Sequence, residues 1–359
     1  MINKCSFTGY AITSPSAWSS PKLIECDAVP FGKHEIDVKI RYCGVCASDL
    51  LTARAGAGND GWRETIYPVI PGHEIVGKIV RIGGLVDTSK FQIGQLVGVG
   101  VLSATCGSCR LCHSNRENYC PDLVETYNSK YPDGSRSYGG YANYKRCHRD
   151  FVFPIPPVLP PEHAAPMLCA GLTVFSPLRT AGVGPGKRVG VVGIGGLGHV
   201  AVLFASAMGA EVTAISHSPR KQAGAAKMGA TGFIVITNEV EWAEQNKNSL
   251  DLIISTAFAN NMPLEKYLQL LDVGGQFALV GVGEQNLPEV PPGILVGANK
   301  SIVGSMIGSS RQMRDMLEFV AEKNIRAWIE ILPMKDAGEA LRRLSQGDCS
   351  YRFVLKADI

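Results

Sequence analysis

The chain has 359 residues, about twice the commonest size of a single domain, so its length predicts two domains. Hydrophobic residues make up 45% and charged residues 19% of the sequence, a composition that excludes an intrinsically disordered chain. The formal net charge of +3 is too small to favour nucleic acid or an anionic membrane as a partner. The first fifteen residues contain no apolar leader, which favours a cytoplasmic location.

Glycine and proline break the N-terminal part of the chain into short runs. Residues 35–41 alternate, residues 75–82 and 95–101 are rich in β-branched side chains, and no long helical period appears. This pattern predicts an irregular, β-rich domain. The proline-dense segment 153–161 follows and indicates a connection to a second domain.

Beyond that segment, apolar runs alternate with helical patterns. Strands are predicted at 189–192, 212–215, 233–236, 252–254 and 276–280, and helices at 200–208, 220–228, 240–246 and 264–271. Strands that are apolar on both faces and joined by helices predict an α/β domain with a parallel, doubly wound sheet. The tail from about residue 311 contains an amphipathic helix and a strand-like run at 352–355, which we expect to return to the first domain.

A glycine-rich turn follows the first of these predicted strands. It reads Gly193-Ile194-Gly195-Gly196-Leu197-Gly198. The first glycine permits a tight turn, the second lets backbone amides approach a pyrophosphate, and the third lets the helix pack closely on the strand. Because a strand precedes the turn and a helix follows it, the motif predicts a dinucleotide-binding site.

The end of the second predicted strand indicates which dinucleotide binds. An acidic residue there usually binds the ribose 2′-hydroxyl of NAD and would repel a 2′-phosphate. This chain has Ser216, His217 and Lys221 instead, which offer hydroxyl and cationic groups to a phosphate. We therefore expect NADP(H) in preference to NAD(H); the alternative is that the cations are only the solvated start of a helix.

Four of the eleven cysteines lie close together. They are Cys106, Cys109, Cys112 and Cys120. Such spacings in a chain without a visible secretion signal favour metal over disulfide bonds. Four thiolates complete a tetrahedral Zn²⁺ site and leave no position for substrate, so we expect a structural zinc ion here.

A second metal-binding pattern is dispersed along the chain. Cys43 and Cys46 lie in residues 43–49, His73 lies in residues 72–74, and Cys169 follows much later. Two thiolates and an imidazole from such a set would leave Zn²⁺ an open position for water or a carbonyl oxygen. Asp49 is of the right type to hold the far ring nitrogen of His73. This pattern indicates a catalytic zinc ion.

Together these motifs resemble the zinc-dependent medium-chain alcohol dehydrogenases, and more closely their NADP-dependent cinnamyl-alcohol-dehydrogenase group. The resemblance covers nearly the whole chain and is carried by residues 72–74, 117–121, 139–142, 169–173, 193–199 and 351–353. It implies a GroES-like catalytic domain at 1–156 and 304–359 and a Rossmann domain at 157–303. It also implies an aldehyde or alcohol substrate and a homodimer. The late apolar run at residues 294–306 is where we expect an edge-to-edge contact between the two copies.

The resemblance assigns roles to individual residues. Cys46, His73 and Cys169 would bind the catalytic zinc with Glu74 as an alternating ligand, and Ser48 would contact the substrate oxygen and begin a proton relay. Besides the glycine turn, the cofactor would contact Thr173, Ser216, His217, Lys221, Val280, Gly281, Val282, Ser305, Met306, Ile307 and Arg352.

Two departures leave alternatives open. Leu51 stands where many members of the family have the histidine that ends the proton relay, and leucine cannot pass a proton. Residues 54–63 form a longer connection than usual at the substrate entrance, which favours a bulky substrate. The alternatives are an NADPH-dependent reductase of a C=C or C=N bond, and a zinc- and nucleotide-binding protein without catalysis.

Overall fold

The computed structural model describes residues 7–27, 29–55, 64–237, 241–257, 261–281 and 286–359. Its backbone contacts divide the chain into two compact units, the first comprising Met1–Cys169 with Ser309–Ile359 and the second Ala170–Gly308. Among the described residues no helix has the length and apolar character needed to cross a membrane.

The helices and strands have the following bounds. The strands are β1 Phe7–Ala11, β2 Lys22–Cys26, β3 Glu35–Gly44, β4 Ile75–Ile82, β5 Leu96–Val99, β6 Leu102–Ala104, β7 Val124–Glu125, β8 Tyr144–His148, β9 Val152–Pro154, β10 Arg188–Val192, β11 Glu211–Ser216, β12 Gly232–Val235, β13 Leu250–Ser255, β14 Leu271–Leu279, β15 Ser301–Gly304, β16 Ile329–Pro333 and β17 Arg352–Lys356. The α-helices are α1 Ala47–Arg54, α2 Arg110–His113, α3 Pro161–Ala164, α4 Ala170–Thr180, α5 Gly198–Ala207, α6 Gln222–Lys227, α7 Trp242–Gln245, α8 Leu264–Leu270, α9 Pro292–Val296, α10 Ser310–Glu322 and α11 Ala337–Ser345. Short 3₁₀ turns occur at Pro15–Ala17, Glu117–Tyr119, Arg149–Phe151, Ala165–Leu168, Pro219–Lys221 and Met334–Asp336.

The first unit is built on a mixed sheet of short strands. Its order is β16-β17-β3-β4-β5-β9, and β8 also pairs with β3. The buried face carries β-branched and aromatic side chains such as Ile36, Ile75 and Phe353, each at most 1% exposed. This confirms the predicted β-rich domain.

The C-terminal tail completes the sheet of the first unit. Strand β17 pairs antiparallel with β3, so that Val354 lies opposite Gly44 and Leu355 opposite Cys43. It also pairs in parallel with β16. The tail returns as expected, although it contains a second amphipathic helix, α11, that the sequence analysis did not predict.

The second unit is a parallel sheet with the strand order β12-β11-β10-β13-β14-β15. In order of appearance along the chain this is 3-2-1-4-5-6, the order of a dinucleotide-binding Rossmann fold. The five predicted strands are all present, and the predicted α/β class with a doubly wound sheet is confirmed. The sixth strand, β15, was not predicted.

The division between the units falls later in the chain than the sequence indicated. Residues 157–169 belong to the first unit, and residues 304–308 belong to the second. The proline-dense segment starts inside the first sheet, because β9 pairs with β5. Further on, the Nδ1 atom of His163 lies 2.9 Å from the carbonyl oxygen of Ala327, which ties α3 to the returning tail.

Candidate active site

Four buried side chains of the first unit converge on one point. The ligand atoms of Cys46, His73, Glu74 and Cys169 all lie within 4.8 Å of one another. Cys46 is the residue before α1, and the His73–Glu74 pair immediately precedes β4. Cys169 follows the 3₁₀ turn Ala165–Leu168. The fold therefore brings together residues that the sequence analysis linked only by their type and order.

Asp49 organises this group from the first turn of α1. Its Oδ2 accepts a hydrogen bond from the backbone N–H of Cys46 at 2.9 Å, as in a capping box. Its Oδ1 accepts from the N–H of Gly72 at 3.1 Å and lies 3.4 Å from Nδ1 of His73. Because Asp49 is fully buried, these contacts fix the loop before α1 and hold the Nδ1 edge of the His73 imidazole.

The other nitrogen of His73 provides a test for metal binding. Nε2 of His73 is buried and has no hydrogen-bonding partner among the described residues. Buried polar atoms are normally paired, and this one lies with two sulfur atoms and a carboxylate. Two thiolates, an imidazole and a carboxylate are a donor set that Zn²⁺ prefers, so the residues fit a zinc ion.

The protonation states also favour metal binding. The pKa of the Cys46 thiol lies well below its ordinary value because a hydrogen bond with Cys169, together with His73, outweighs the opposing effect of burial. Burial lowers the pKa of His73, but Asp49 and Cys46 outweigh it and raise that pKa to about 10. These shifts favour the thiolate form of Cys46, which is the form that binds a metal, and metal binding at His73 would release any proton from its metal-facing nitrogen.

Glu74 forms an ion pair with Arg352, which lies on β17. Both side chains are buried, and the second carboxylate oxygen of Glu74 has no hydrogen-bonding partner among the described residues. The resemblance placed Arg352 among the cofactor contacts, whereas in the structure its ion pair holds Glu74 beside the other three residues. A role of Arg352 toward the cofactor remains a prediction.

The four clustered cysteines form a second group in the first unit, around α2 and the 3₁₀ turn Glu117–Tyr119. The sulfur atoms are 3.5 Å apart for Cys109–Cys112 and Cys106–Cys120, and 3.9 Å apart for Cys106–Cys112 and Cys109–Cys120. Zinc–sulfur bonds of about 2.3 Å in a tetrahedron place sulfur atoms about 3.8 Å apart. The geometry therefore fits a structural zinc ion. Backbone N–H groups of Ser108 and Cys109 lower the pKa of Cys106 to about 6, which favours the thiolate.

Replacing Cys112 by serine should remove one of the two bound zinc ions and lower the thermal midpoint, because a three-thiolate site binds zinc more weakly. Saturation of such a site at one hundred times its Kd stabilises a fold by about 2.7 kcal/mol, which would be lost. Atomic absorption and calorimetry measure both effects. Cys349→Ser, outside both groups, is the control; a Cys112→Ser protein that retains two zinc ions per chain would contradict the assignment.

In the second unit, the glycine-rich turn joins β10 to α5. Gly193 has a φ of +83°, which glycine adopts without strain. A Cβ at Gly198 would lie 1.8 Å from the carbonyl oxygen of Gly193, so only glycine lets the helix start this close to the strand. A Cβ at Gly195 would meet nothing within 4 Å, which leaves the turn open on that side. These features agree with the roles expected for a pyrophosphate-binding turn.

Lys221 reaches back to the same turn. Its Nζ donates a hydrogen bond to the carbonyl oxygen of Ile194 at 2.6 Å. Ser216 is the buried last residue of β11, and His217 follows it in an exposed position. His199, in the first turn of α5, lies with Nδ1 3.1 Å from the carbonyl oxygen of Gly195, and burial lowers its pKa to about 4. The end of β11 and the glycine turn are thus linked through Lys221.

The other residues predicted to contact the cofactor lie in α4 and in the segments after β14 and β15. Thr173 is buried in α4, and Val280 and Gly281 follow the end of β14. Ser305 begins the segment after β15 and donates its N–H to the carbonyl oxygen of Leu279 at 3.1 Å; Met306 and Ile307 follow it. Val282 lies outside the described residues, as does most of the long connection, residues 56–63.

Two buried tyrosines near the metal-binding group were not identified from the sequence. The hydroxyl of Tyr141 donates to Oδ2 of Asp49 at 3.2 Å. The ring of Tyr127 stacks on the imidazole of His73, with centroids 5.6 Å apart and planes 17° from parallel. Tyr141 belongs to the 139–142 motif that supports the resemblance, but the sequence contains no signal for Tyr127.

Comparison with known proteins gives consistent results for both units. Residues 32–157 match the family model of the alcohol dehydrogenase GroES-like domain, and residues 196–322 match that of the zinc-binding dehydrogenases. Among solved structures, a cinnamyl alcohol dehydrogenase of Sorghum bicolor matches with a TM-score of 0.91 and 36% identity, covering 98% of this chain and 97% of that one. A cinnamyl alcohol dehydrogenase of Helicobacter pylori, solved with NADP(H), has a TM-score of 0.88 and 35% identity, with 98% of each chain covered.

The sequence relatives extend over nearly the whole chain. NADP-dependent alcohol dehydrogenase 6 of Saccharomyces cerevisiae is 43% identical over 97% of this chain and 96% of its own. Vomilenine reductase of Rauvolfia serpentina is 41% identical over 97% of this chain and 94% of its own. The two family models match both parts of the chain, and the relatives match it almost end to end. The chain therefore belongs to the zinc-dependent medium-chain alcohol dehydrogenases, a family of oxidoreductases.

Proposed function

We propose that this protein catalyses reversible hydride transfer between NADPH and an aldehyde or primary alcohol, with a cinnamyl-type or similarly bulky substrate. The observation that carries the proposal is the buried group of Cys46, His73, Glu74 and Cys169, whose one unpaired imidazole nitrogen lies among zinc-type donors. Relatives named as NADP-dependent and as cinnamyl alcohol dehydrogenases support the cofactor and the substrate class.

The proposed mechanism assigns a task to each residue. When bound, zinc would act as the Lewis acid on the substrate carbonyl and NADPH would supply the hydride. Cys46, His73 and Cys169 would hold the ion, and Glu74 would replace a departing ligand. Ser48, half-buried in the first turn of α1, would donate the proton that the substrate oxygen needs as the hydride reaches carbon, which gives the alcohol.

The test is to follow NADPH consumption with cinnamaldehyde and to identify the product. We expect cinnamyl alcohol, one NADPH oxidised per molecule formed, and loss of turnover after treatment with a zinc chelator. The control is the same reaction after zinc is restored. An enzyme that reduces no aldehyde in an unbiased panel would contradict the proposal.

A second candidate is the reduction of a C=C or C=N bond. One observation favours it: Leu51 cannot pass a proton, and such a reduction does not need the alcohol relay. A conjugated substrate distinguishes the two, because saturation of the double bond leaves the aldehyde intact. The third possibility, a binding protein without catalysis, is excluded by NADPH oxidation with any substrate.

Replacing Leu51 by histidine should raise the rate of alcohol oxidation near neutral pH. Ser48 and Leu51 are separated by three positions in α1 and so lie on the same side of the helix. A histidine there can accept the proton that Ser48 passes on, and general base catalysis contributes about 10²-fold or more where proton transfer is limiting.

The pH dependence of kcat identifies the cause. The Leu51→His enzyme should gain rate as its histidine loses its proton, whereas Leu51→Gln, which is polar but does not titrate, should resemble the unmodified enzyme. Equal pH profiles for all three would show that the proton leaves by another route.

We further propose that the protein is a cytoplasmic homodimer that associates through residues 294–306. This region contains β15, which is the last strand of its sheet within the described residues, and Val296, which is 83% exposed. A strand with an open edge is a template for pairing with a second copy. Clustered thiols with metal-ligand spacing are more typical of a reducing compartment than of a secreted protein. A monomer by light scattering at micromolar concentration would contradict the dimer.

A further inference from the structure

We infer that Tyr127 is a positioning residue for the catalytic metal: its ring holds the imidazole of His73, and its hydroxyl holds the carboxylate of Asp49. This inference rests on the proposed function, since it assumes that zinc binds to the buried group of Cys46, His73, Glu74 and Cys169. It assigns a task to a residue that neither chemical type nor spacing identified.

The imidazole of His73 needs more support than Asp49 alone provides. Oδ1 of Asp49 lies 3.4 Å from Nδ1 of His73, which fixes one edge of the ring. The ring can still tilt about the Cβ–Cγ bond and move Nε2 away from the two sulfur atoms. The Tyr127 ring lies against the face of the imidazole at 5.6 Å and 17°, within the range of offset stacking, and so opposes that tilt.

The hydroxyl of Tyr127 interacts with Asp49, the carboxylate that holds the Nδ1 edge of His73. It hydrogen-bonds with the side chains of Asp49 and Thr52, both buried in α1. The Tyr141 hydroxyl and the N–H groups of Cys46 and Gly72 bond the same carboxylate. Asp49 is therefore held from its own loop and from three other segments, and Tyr127 is a side chain that contacts both Asp49 and the ring face of His73.

Tyr127 itself is held firmly. It is 7% exposed, and the residue before it is fixed twice: the N–H of Thr126 donates to Val101 at 2.8 Å, and its hydroxyl donates to Gly100 at 2.6 Å. These bonds close the base of the segment that carries the four clustered cysteines. A rigid support is what a positioning residue requires, because a mobile ring could not restrain its neighbour.

The experiment compares Tyr127→Phe, which keeps the ring and removes the hydroxyl, with Tyr127→Leu, which removes both. Tyr131→Phe is the matched control, since Tyr131 belongs to the following hairpin and interacts with Ser103 rather than with His73. Each protein is loaded with Co²⁺, and its visible spectrum and the rate of metal loss to a chelator are measured. Cobalt-loaded Cys46→Ala gives the contribution of the four-cysteine site, which is subtracted.

We expect metal affinity at the catalytic site to fall about tenfold in Tyr127→Phe and up to about a hundredfold in Tyr127→Leu, the usual range for partners of metal ligands. The cobalt absorption bands should shift in both variants, while NADPH affinity and metal at the four-cysteine site stay unchanged. If Tyr127→Leu fails to fold, the cobalt spectrum and the rate of metal loss of Tyr127→Phe test the inference alone.

Spectra and release rates equal to those of the unmodified protein in Tyr127→Phe and in any folded Tyr127→Leu would overturn the inference. A different outcome concerns the proposed function: if the unmodified protein takes up no more cobalt than Cys46→Ala, the buried group binds no metal. The two failures are therefore distinguishable.

Discussion

Replacing Cys46 by alanine is expected to lower kcat by about a thousandfold or more while leaving NADPH binding nearly unchanged. A Lewis-acid metal contributes several kcal/mol to the transition state, and each 1.4 kcal/mol is about a factor of ten in rate. The glycine turn that would bind the cofactor belongs to the other unit, so its affinity should survive.

Steady-state kinetics, zinc content and NADPH fluorescence test this expectation. The variant should retain one zinc ion per chain, in the four-cysteine group. Cys147→Ala is a suitable control because Cys147 is also a buried thiol of the first unit but lies outside both groups. An active Cys46→Ala enzyme without the second zinc ion would rule out the proposed mechanism.

Replacing Ser216 by aspartate should reverse the cofactor preference from NADPH toward NADH. A carboxylate at the end of β11 would repel the 2′-phosphate and could accept a hydrogen bond from the 2′-hydroxyl. The cost to NADPH binding should be on the order of 1–3 kcal/mol, or roughly ten- to a hundredfold in Kd. Kd values for both cofactors, measured by fluorescence titration, give the change in preference.

Variants of the two cations after β11 test whether this loop binds the 2′-phosphate or is only the solvated start of a helix. Lys221→Ala should weaken NADPH more than NADH, but some loss for both is expected because Lys221 also bonds the glycine turn. Arg220→Ala, which changes an exposed neighbouring cation, is the control. Equal affinities of the unmodified enzyme for the two cofactors would refute the assignment of this loop to the 2′-phosphate.

Local sequence patterns predicted the nucleotide-binding unit well, because each buried strand is a continuous apolar run between turns. Strand β15 was not predicted because it has only four residues, none of them fully buried, and follows a long irregular segment. The sequence analysis put the first boundary at residues 156–157, in the proline-dense segment, whereas the backbone contacts divide the chain after Cys169; prolines are typical of any turn, including turns within one sheet. Propensity does not reveal that α3 packs on the returning tail.

Chemical type and order along the chain indicated the zinc ligands, but their supports could not be predicted in this way. Arg352 and Glu74 are 278 residues apart in sequence and meet only because β17 lies beside β3. Nothing in the sequence around Tyr127 indicates that its ring stacks on His73, because that contact is formed only in the folded chain. Such contacts depend on tertiary structure, and a single sequence carries no periodic signal for them.

The position of β17 has a consequence for synthesis of the protein. This strand lies between β16 and β3 inside the sheet of the first unit, yet it leaves the ribosome long after β3 does. The second unit is contiguous and needs only residues 170–308, so it can fold while the tail is still being made. The N-terminal strands must wait for a partner more than three hundred residues away. We therefore expect folding of the first unit to be limited by this late long-range pairing, and removal of residues 352–359 to leave its sheet without β17.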